Sequence, residues 1–197
     1  LTVSDFAKAS LVAYGIGTPD KIDVVHNGTD HLMATPSDGS TLPRLGLTPG
    51  SYVLCLGSTK AYKNIARLFA ALTPPLDGLR LVVAGGPPEA AYRARGWTPP
   101  PGTVFTGFIH DGGLRALYEG ARVFAFPSMT EGFGLPPVEA MHCRTPVVAA
   151  KAGAMPEVCG GAARLVEPDD TAGWSRALAE IAADGPERAW RIDAGLA

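Results

Sequence analysis

Short apolar runs rich in β-branched residues alternate along the chain with segments whose apolar residues fall at helical spacing. The runs are Ile22–His26, Tyr52–Gly57, Leu79–Gly85, Thr103–Gly107, Val123–Pro127, Pro146–Ala150 and Arg164–Glu167. Runs of this kind, apolar on both faces, predict buried strands of a parallel sheet. Helices are predicted between them. Asn64–Leu72 gathers Ile65, Leu68, Phe69 and Leu72 on one face, and Gly113–Gly120 does so with Leu114, Leu117 and Tyr118. Leu135–Cys143 opens on a Pro-Pro start, and Thr171–Ala183 carries Trp174, Leu178 and Ile181. Strand–helix alternation at this spacing predicts an α/β fold with a doubly wound parallel sheet and right-handed crossovers.

Residues 34–50 are rich in Pro, Gly, Ser and Thr and read as a linker or exposed loop. Before them lies a strand–helix–strand piece, LTVS, DFAKASLVAYG and KIDVVHNG, too short to fold alone. The end, ERAWRIDAGLA, reads as a helix beginning without a closing signal. The expected division is 1–33 as the tail of another domain and a crossover, 34–184 as one α/β domain, and 185–197 as the start of a truncated helix. Both ends then read as cuts through a longer chain.

Composition narrows the class. With 46% hydrophobic and 18% charged residues in 197, the chain is not a disordered one. No apolar run reaches the length of a membrane span, and the N-terminus lacks the pattern of a signal peptide. The net charge of −2 argues against a sequence-independent nucleic-acid binder. Cys55, Cys143 and Cys159 lie far apart with no CxxC, so reduced thiols and a cytoplasmic location are expected.

The most informative segment is VFAFPSMTEGFGLPPVEAM, residues 123–141. A strand ends near Phe126, a loop holds Gly132 and Gly134, and a helix starts at Pro136 or Pro137, residues suited to a first turn. Ligands of open parallel sheets bind at the carboxyl ends of strands, and backbone N–H groups at a helix start favour phosphate. The glycines let the backbone approach such a ligand. Two carboxylates bracket the loop. Glu139 lies one turn into the helix, its Cβ tilted toward the helix N-terminus, where its carboxylate suits vicinal hydroxyls such as those of a ribose. In one continuous helix Glu131 would lie ~12 Å from it along the axis, but the glycines and prolines break that geometry and direct Glu131 to another part of the ligand.

PSxxEGFGLPPVEAM, with seven residues between Glu131 and Glu139, resembles the donor-site signature of glycosyltransferase family 4 (group 1), which are retaining enzymes of the two-domain GT-B fold using nucleotide sugars. Other segments agree in order and spacing. TVSDFAKASL followed by KIDVVHNGTD resembles the end of the acceptor domain and its crossing to the donor domain. LCLGSTKAYKN resembles the strand and loop of a phosphate-binding lysine, and VFTGFIHDGGLRALYEGA and TPVVAAKAGAMPEVCGGAARLVEP also fit. The resemblance covers almost the whole chain and implies half of a GT-B fold with a Rossmann-like sheet. It implies that Glu139 binds the ribose, that Glu131 is catalytic and binds the donor sugar, and that Lys63 and the amides of Gly132, Phe133, Gly134 and Leu135 bind the diphosphate. Ser58, Lys60 and Ile109 complete the implied donor site. Tyr62-Lys63 departs from the Arg-Lys pair of the family pattern, and Lys60 is placed to supply a second cation.

The implied activity is transfer of a sugar from a nucleotide-diphosphate sugar, with a lean toward GDP-mannose, to a glycan or lipid-linked acceptor held by the other domain. No metal or other cofactor is required on this reading, the stretch alone binds donor without transferring it, and the full protein is compatible with peripheral attachment at the inner membrane face. The alternatives are a GT-B sugar-nucleotide epimerase and a non-catalytic sugar-nucleotide-binding module. An NAD-type oxidoreductase fits less well, because Pro137 stands where a dinucleotide fingerprint needs its third glycine. Taken singly, Glu131 reads as a solvated loop acid, Glu139 as a helix-face acid and Lys63 as a surface lysine. Phe133 fits a core plug as well as a ligand contact. Cys55 reads as core, Asp111 as a helix N-cap and Asp169-Asp170 as helix capping before Thr171 rather than a Mg²⁺ site, His110 as a loop histidine near the donor, and His142-Cys143 as a poor metal pair.

Overall fold

The computed structural model describes residues 1–76 and 78–196. Six strands form one parallel sheet: β1 (Tyr52–Leu56), β2 (Arg80–Ala84), β3 (Val104–Phe105), β4 (Val123–Phe126), β5 (Val147–Ala150) and β6 (Arg164–Val166), in the order β3-β2-β1-β4-β5-β6. This is the doubly wound order predicted from the alternation of strands and helices. Among the described residues ten α-helices accompany it: α1 (Asp5–Ala13), α2 (Asp30–Ala34), α3 (Thr41–Arg44), α4 (Ile65–Ala71), α5 (Glu89–Arg93), α6 (Asp111–Gly120), α7 (Leu135–His142), α8 (Met155–Val158), α9 (Thr171–Ala182) and α10 (Pro186–Ala194). Among the described residues no helix is long and apolar enough to cross a membrane.

Apart from Arg80 and Arg164, which open β2 and β6, the strands are apolar because the sheet is covered on both faces. Alternate residues point to opposite sides. Leu54, Val82, Phe124, Phe126, Val147 and Ala149 pack with Leu117, Tyr118, Ala140 and Met155, which come from α6, α7 and α8. Their neighbours Val53, Cys55, Val83, Val123, Ala125, Val148 and Ala150 pack with Leu68 and Phe69 of α4 and with Trp174, Leu178 and Ile181 of α9. Two buried polar tips are paired: the Trp174 indole N–H donates to the Glu167 carbonyl at 3.2 Å and the Tyr52 hydroxyl to the Leu117 carbonyl at 2.7 Å.

Three local expectations are corrected. Ile22–His26 is not a strand: Val24 makes a single parallel bridge with Thr2, and Val25 is exposed, because among the described residues no strand lies beside this segment to extend the pairing. Residues 34–50 are not a bare linker. They contain α3, bury Thr41 and Leu47, and pack Leu42 and Leu45 against the core. The N-cap of α6 is His110, whose Nδ1 accepts the Gly113 N–H at 3.2 Å, so Asp111 is the first helical residue. Asp170 does cap α9, accepting the Gly173 N–H at 2.8 Å.

The segment before the sheet is tied to it by polar contacts. The Ser4 hydroxyl caps α1 by accepting the Ala7 N–H at 3.0 Å and itself donates to the Gly132 carbonyl. Glu157 of α8 accepts the N–H groups of Asp5 and Phe6 at 2.9 and 3.1 Å, and His26 Nε2 lies 3.2 Å from it. Partial burial pushes the Glu157 carboxyl up, but these donors outweigh it and hold the group below its usual range.

Candidate donor-binding site

The sheet order reverses between β1 and β4, which pair through Val53–Val123 and Leu54–Phe124. The chain leaves β1 toward β2 on one side and enters β4 on the other. The loops that follow these two strands therefore part, and leave a crevice at their carboxyl ends. A cavity of about 230 Å³ lies there, lined by Gly57, Ser58, Lys60 and Lys63 after β1 and by Phe126, Pro127 and Ser128 at the end of β4.

The two loops are stitched together. The Met129 N–H donates to the Tyr62 carbonyl at 2.7 Å, and Ser128 Oγ lies 3.4 Å from the same oxygen. Asn64 turns the first loop into α4 with a left-handed backbone (φ 54°), and its side-chain amide donates to the Pro168 carbonyl at 2.8 Å. This positions Lys63, whose Nζ reaches Glu131 Oε1 at 2.6 Å, with both side chains largely shielded from solvent. The departure at Tyr62 has a physical account: its ring centroid lies 5.3 Å from Lys63 Nζ and 5.9 Å from Lys60 Nζ. Where the family pattern has a second cation, this chain has an aromatic face that attracts the two it retains.

Gly134 adopts φ 95° at the N-cap of α7, and a Cβ there would strike the Met155 methyl group at 2.1 Å. Only glycine fits this turn. Pro136 and Pro137 have no N–H, so the first turn of α7 offers the Leu135 amide beside those of the loop rather than a full set. Phe133 is buried, its ring centroid 5.7 Å from that of His26. Ile109 packs against the core near α6, away from the cavity lining.

Glu139 is the most enclosed of the candidate acids, 8% exposed. Tyr118 on α6 donates its hydroxyl to Oε2 at 3.1 Å, and His31 Nε2 on α2 lies 3.0 Å from Oε1. Burial, reinforced by the Glu139 charge and the hydrogen bond to it, raises the Tyr118 phenol well above its ordinary value and keeps it a donor. α2 is itself fixed to α7, since Thr29 Oγ1 lies 2.7 Å from His142 Nδ1.

The structure thus brings Ser58, Lys60, Lys63 and Glu131 to one crevice, with Glu139 on the helix leading out of it. Sequence reading missed Tyr62 as a cation partner, Tyr118 as the donor to Oε2, and His31. No periodicity links His31 to a residue 108 positions away. Among the described residues, no group of three or more His, Cys, Asp or Glu is gathered to hold a metal ion.

The family model described as Glycosyl transferases group 1 matches residues 50–184. The O-antigen chain mannosyltransferase B of Escherichia coli is 30% identical over all of this chain and 55% of its own length. The MMP alpha-(1->4)-mannosyltransferase of Mycolicibacterium hassiacum is 33% identical over 86% of this chain and 42% of its own. The chain therefore spans about half the length of the curated relatives it matches. Among solved structures, Anabaena Alr3699/HepE in complex with UDP and glucose superposes with a TM-score of 0.82 at 22% identity, over 99% of this chain and 56% of that one. Sucrose-phosphate synthase from Thermosynechococcus elongatus gives 0.78 at 27% identity, over 98% and 50%.

Proposed function

The chain belongs to the group 1 glycosyl transferases, and from that membership we propose that its crevice binds the nucleotide-sugar donor of a retaining sugar transfer. On this reading Glu139 accepts the ribose hydroxyls, Lys63 and the amides of Gly132–Leu135 meet the diphosphate, and Glu131 faces the donor sugar as the catalytic carboxylate. Ser58 and Lys60 line the phosphate side. The observation that carries the reading is the 2.6 Å pairing of Lys63 with Glu131 across the switch point, because it brings a cation and an acid from separate loops to the place where parallel sheets bind ligands.

Glycosyl transfer with the diphosphate leaving passes through an oxocarbenium-like state. Negative charge grows on the leaving oxygens while positive charge grows on the sugar. Lys63 and oriented amides would stabilise the first, and Glu131 the second. The donor sugar is proposed to be mannose carried on GDP, in keeping with the mannosyltransferases among the relatives. The acceptor, a glycan or lipid-linked saccharide, would be held by a further domain that residues 1–33 join to the donor domain of 34–184.

Calorimetric titration of UDP-, GDP-, ADP- and dTDP-sugars against the protein tests the proposal. Saturable binding of GDP-mannose above the others is expected. Binding of another nucleotide sugar would correct the donor, and binding of none would remove the donor-site reading.

A further inference from the structure

The Glu139 carboxylate is held by two donors from two different helices, Tyr118 on Oε2 and His31 on Oε1. Tyr118 is fully buried, whereas the His31 side chain is 56% exposed. His31 lies on α2, outside residues 50–184 that the family model matches. We propose that His31 is a positioning residue for the donor's ribose: by donating Nε2–H to Glu139 Oε1 it fixes the plane of the carboxylate and so sets discrimination for a vicinal diol. The inference rests on the proposed role of Glu139 as ribose ligand.

The last torsion of a glutamate is broad rather than staggered. A carboxylate gripped on one oxygen swings about that contact. Gripped on both, it presents a fixed plane. Each carboxylate oxygen accepts about two hydrogen bonds. The Tyr118 and His31 bonds use one site on each, leaving one on each for a pair of adjacent hydroxyls. A diol satisfies both remaining sites at once, while a deoxyribose leaves one unmet in a largely buried place.

The geometry of α2 suits this role. Its backbone is set by Thr29 against His142 of α7, by Leu32 in the core, and by Arg115, which donates to the Thr35 carbonyl at 2.8 Å. His31 is therefore delivered from a braced support onto the helix that carries Glu139. The Nε2–H tautomer follows from the acceptor it faces, since a carboxylate that already accepts from Tyr118 gives imidazole nothing to accept.

Titrations of UDP and GDP, each against its 2′-deoxy and 3′-deoxy counterparts, test the proposal in wild type, His31→Ala, His31→Gln and Glu139→Ala. For whichever base binds, His31→Ala should reduce the ribose-over-deoxyribose preference about tenfold, the equivalent of about 1.4 kcal/mol. His31→Gln, whose amide N–H reaches the same oxygen, should keep the preference within about twofold of wild type. Thermal unfolding should be little changed in both, because His31 is more than half exposed. A wild-type preference in His31→Ala, with the preference lost in Glu139→Ala, overturns the His31 role alone. A wild-type preference in Glu139→Ala overturns the ribose assignment together with the inference built on it.

Discussion

Lys63 Nζ stands 2.6 Å from Glu131 Oε1, joining the loop after β1 to the loop after β4 across the point where the sheet order reverses. An ammonium has three donors, so Lys63 can hold Glu131 with one and offer the others to phosphate oxygens. As a stabilising pair in a solvent-reached crevice it is worth about 1 kcal/mol or less. Its value lies in arrangement: the acid is kept near the cation without neutralising all that the cation can bind.

Lys63→Ala should therefore weaken a nucleoside diphosphate about tenfold more than the corresponding monophosphate, since a charge-assisted bond is lost only where the second phosphate is present. Calorimetry with the two ligands reads the difference. Equal weakening of both would move Lys63 off the diphosphate. Lys60→Ala, which removes the other ammonium beside the Tyr62 ring, should show a smaller loss of the same kind.

Tyr118→Phe isolates the other grip on Glu139. The ring stays in its edge contact with Phe124, 5.2 Å between centroids, while Oε2 loses its donor. Leaving that oxygen unpaired in the interior should lower stability by about 1–2 kcal/mol, read as a lower urea midpoint at unchanged slope. An unshifted midpoint would mean that the Tyr118 hydroxyl contributes nothing to the fold.

The strands were legible in the sequence because burial on both faces leaves them apolar apart from Arg80 and Arg164 at the starts of β2 and β6. Val123–Phe126 and Val147–Ala150 are wholly buried and were readable to within a residue. Ile22–His26 has the same β-branched composition, but composition does not reveal whether a neighbouring strand exists, and among the described residues only Thr2 bridges it. His110 was passed over as a cap because Asp, Asn, Ser and Thr lead that position. Glu131 and Glu139 stood out as motif residues. Their partners did not, since Lys63 and His31 are brought to them by the reversal of the sheet and by α2, 68 and 108 positions away. Contacts of that range follow from topology, not from local pattern.

Asp38 carries a pH-dependent share of stability. It accepts from the Ser40 hydroxyl at 2.7 Å, the Ser40 N–H at 2.9 Å and the Thr41 hydroxyl at 2.9 Å, with His110 Nε2 3.3 Å away. These bonds, with Ser40 foremost, lower its carboxyl from 3.8 to about 2. A carboxyl depressed in the folded state stabilises above its unfolded value and loses that stabilisation as pH falls toward the folded one. Asp38→Asn should thus melt below wild type above about pH 4, and the gap should close as pH falls toward about 2. Thermal scans across that range check it. A gap independent of pH would assign the effect to packing.

The three cysteines should be silent toward thiol reagents in the native protein. All are buried and unpaired. Burial pushes Cys55 and Cys159 up to about 12 and Cys143 up to about 11, so the thiolate that reacts is scarce near neutral pH. A disulfide-exchange dye should label three thiols in denaturant and almost none without it. Rapid native labelling of any one would show that its shell opens.

Gly153→Ala probes how the loop after β5 supports Glu131. Gly153 has φ 58°, and a Cβ there would lie 2.8 Å from the Glu131 nitrogen and 3.1 Å from its carbonyl oxygen. Both are backbone atoms, so neither can rotate away. The next residue donates its N–H to that same Glu131 carbonyl at 3.2 Å, which means the two loops must separate to admit a methyl group. The left-handed backbone alone should cost about 1 kcal/mol or more, and the collision adds to it. Displacement falls on Glu131 and not on Glu139, which α6 and α2 hold independently. The variant should therefore lose more affinity for the sugar-bearing donor than for the nucleoside diphosphate, whose proposed ligands, the amides of Gly132–Leu135, follow Glu131 in the same loop. Gly39→Ala, where nothing lies within 4 Å, serves as the neutral control. Equal loss of both ligands in Gly153→Ala would show that the displacement acts through the phosphate-binding amides and not on the sugar, and wild-type binding of both would detach the Glu131 loop from the site.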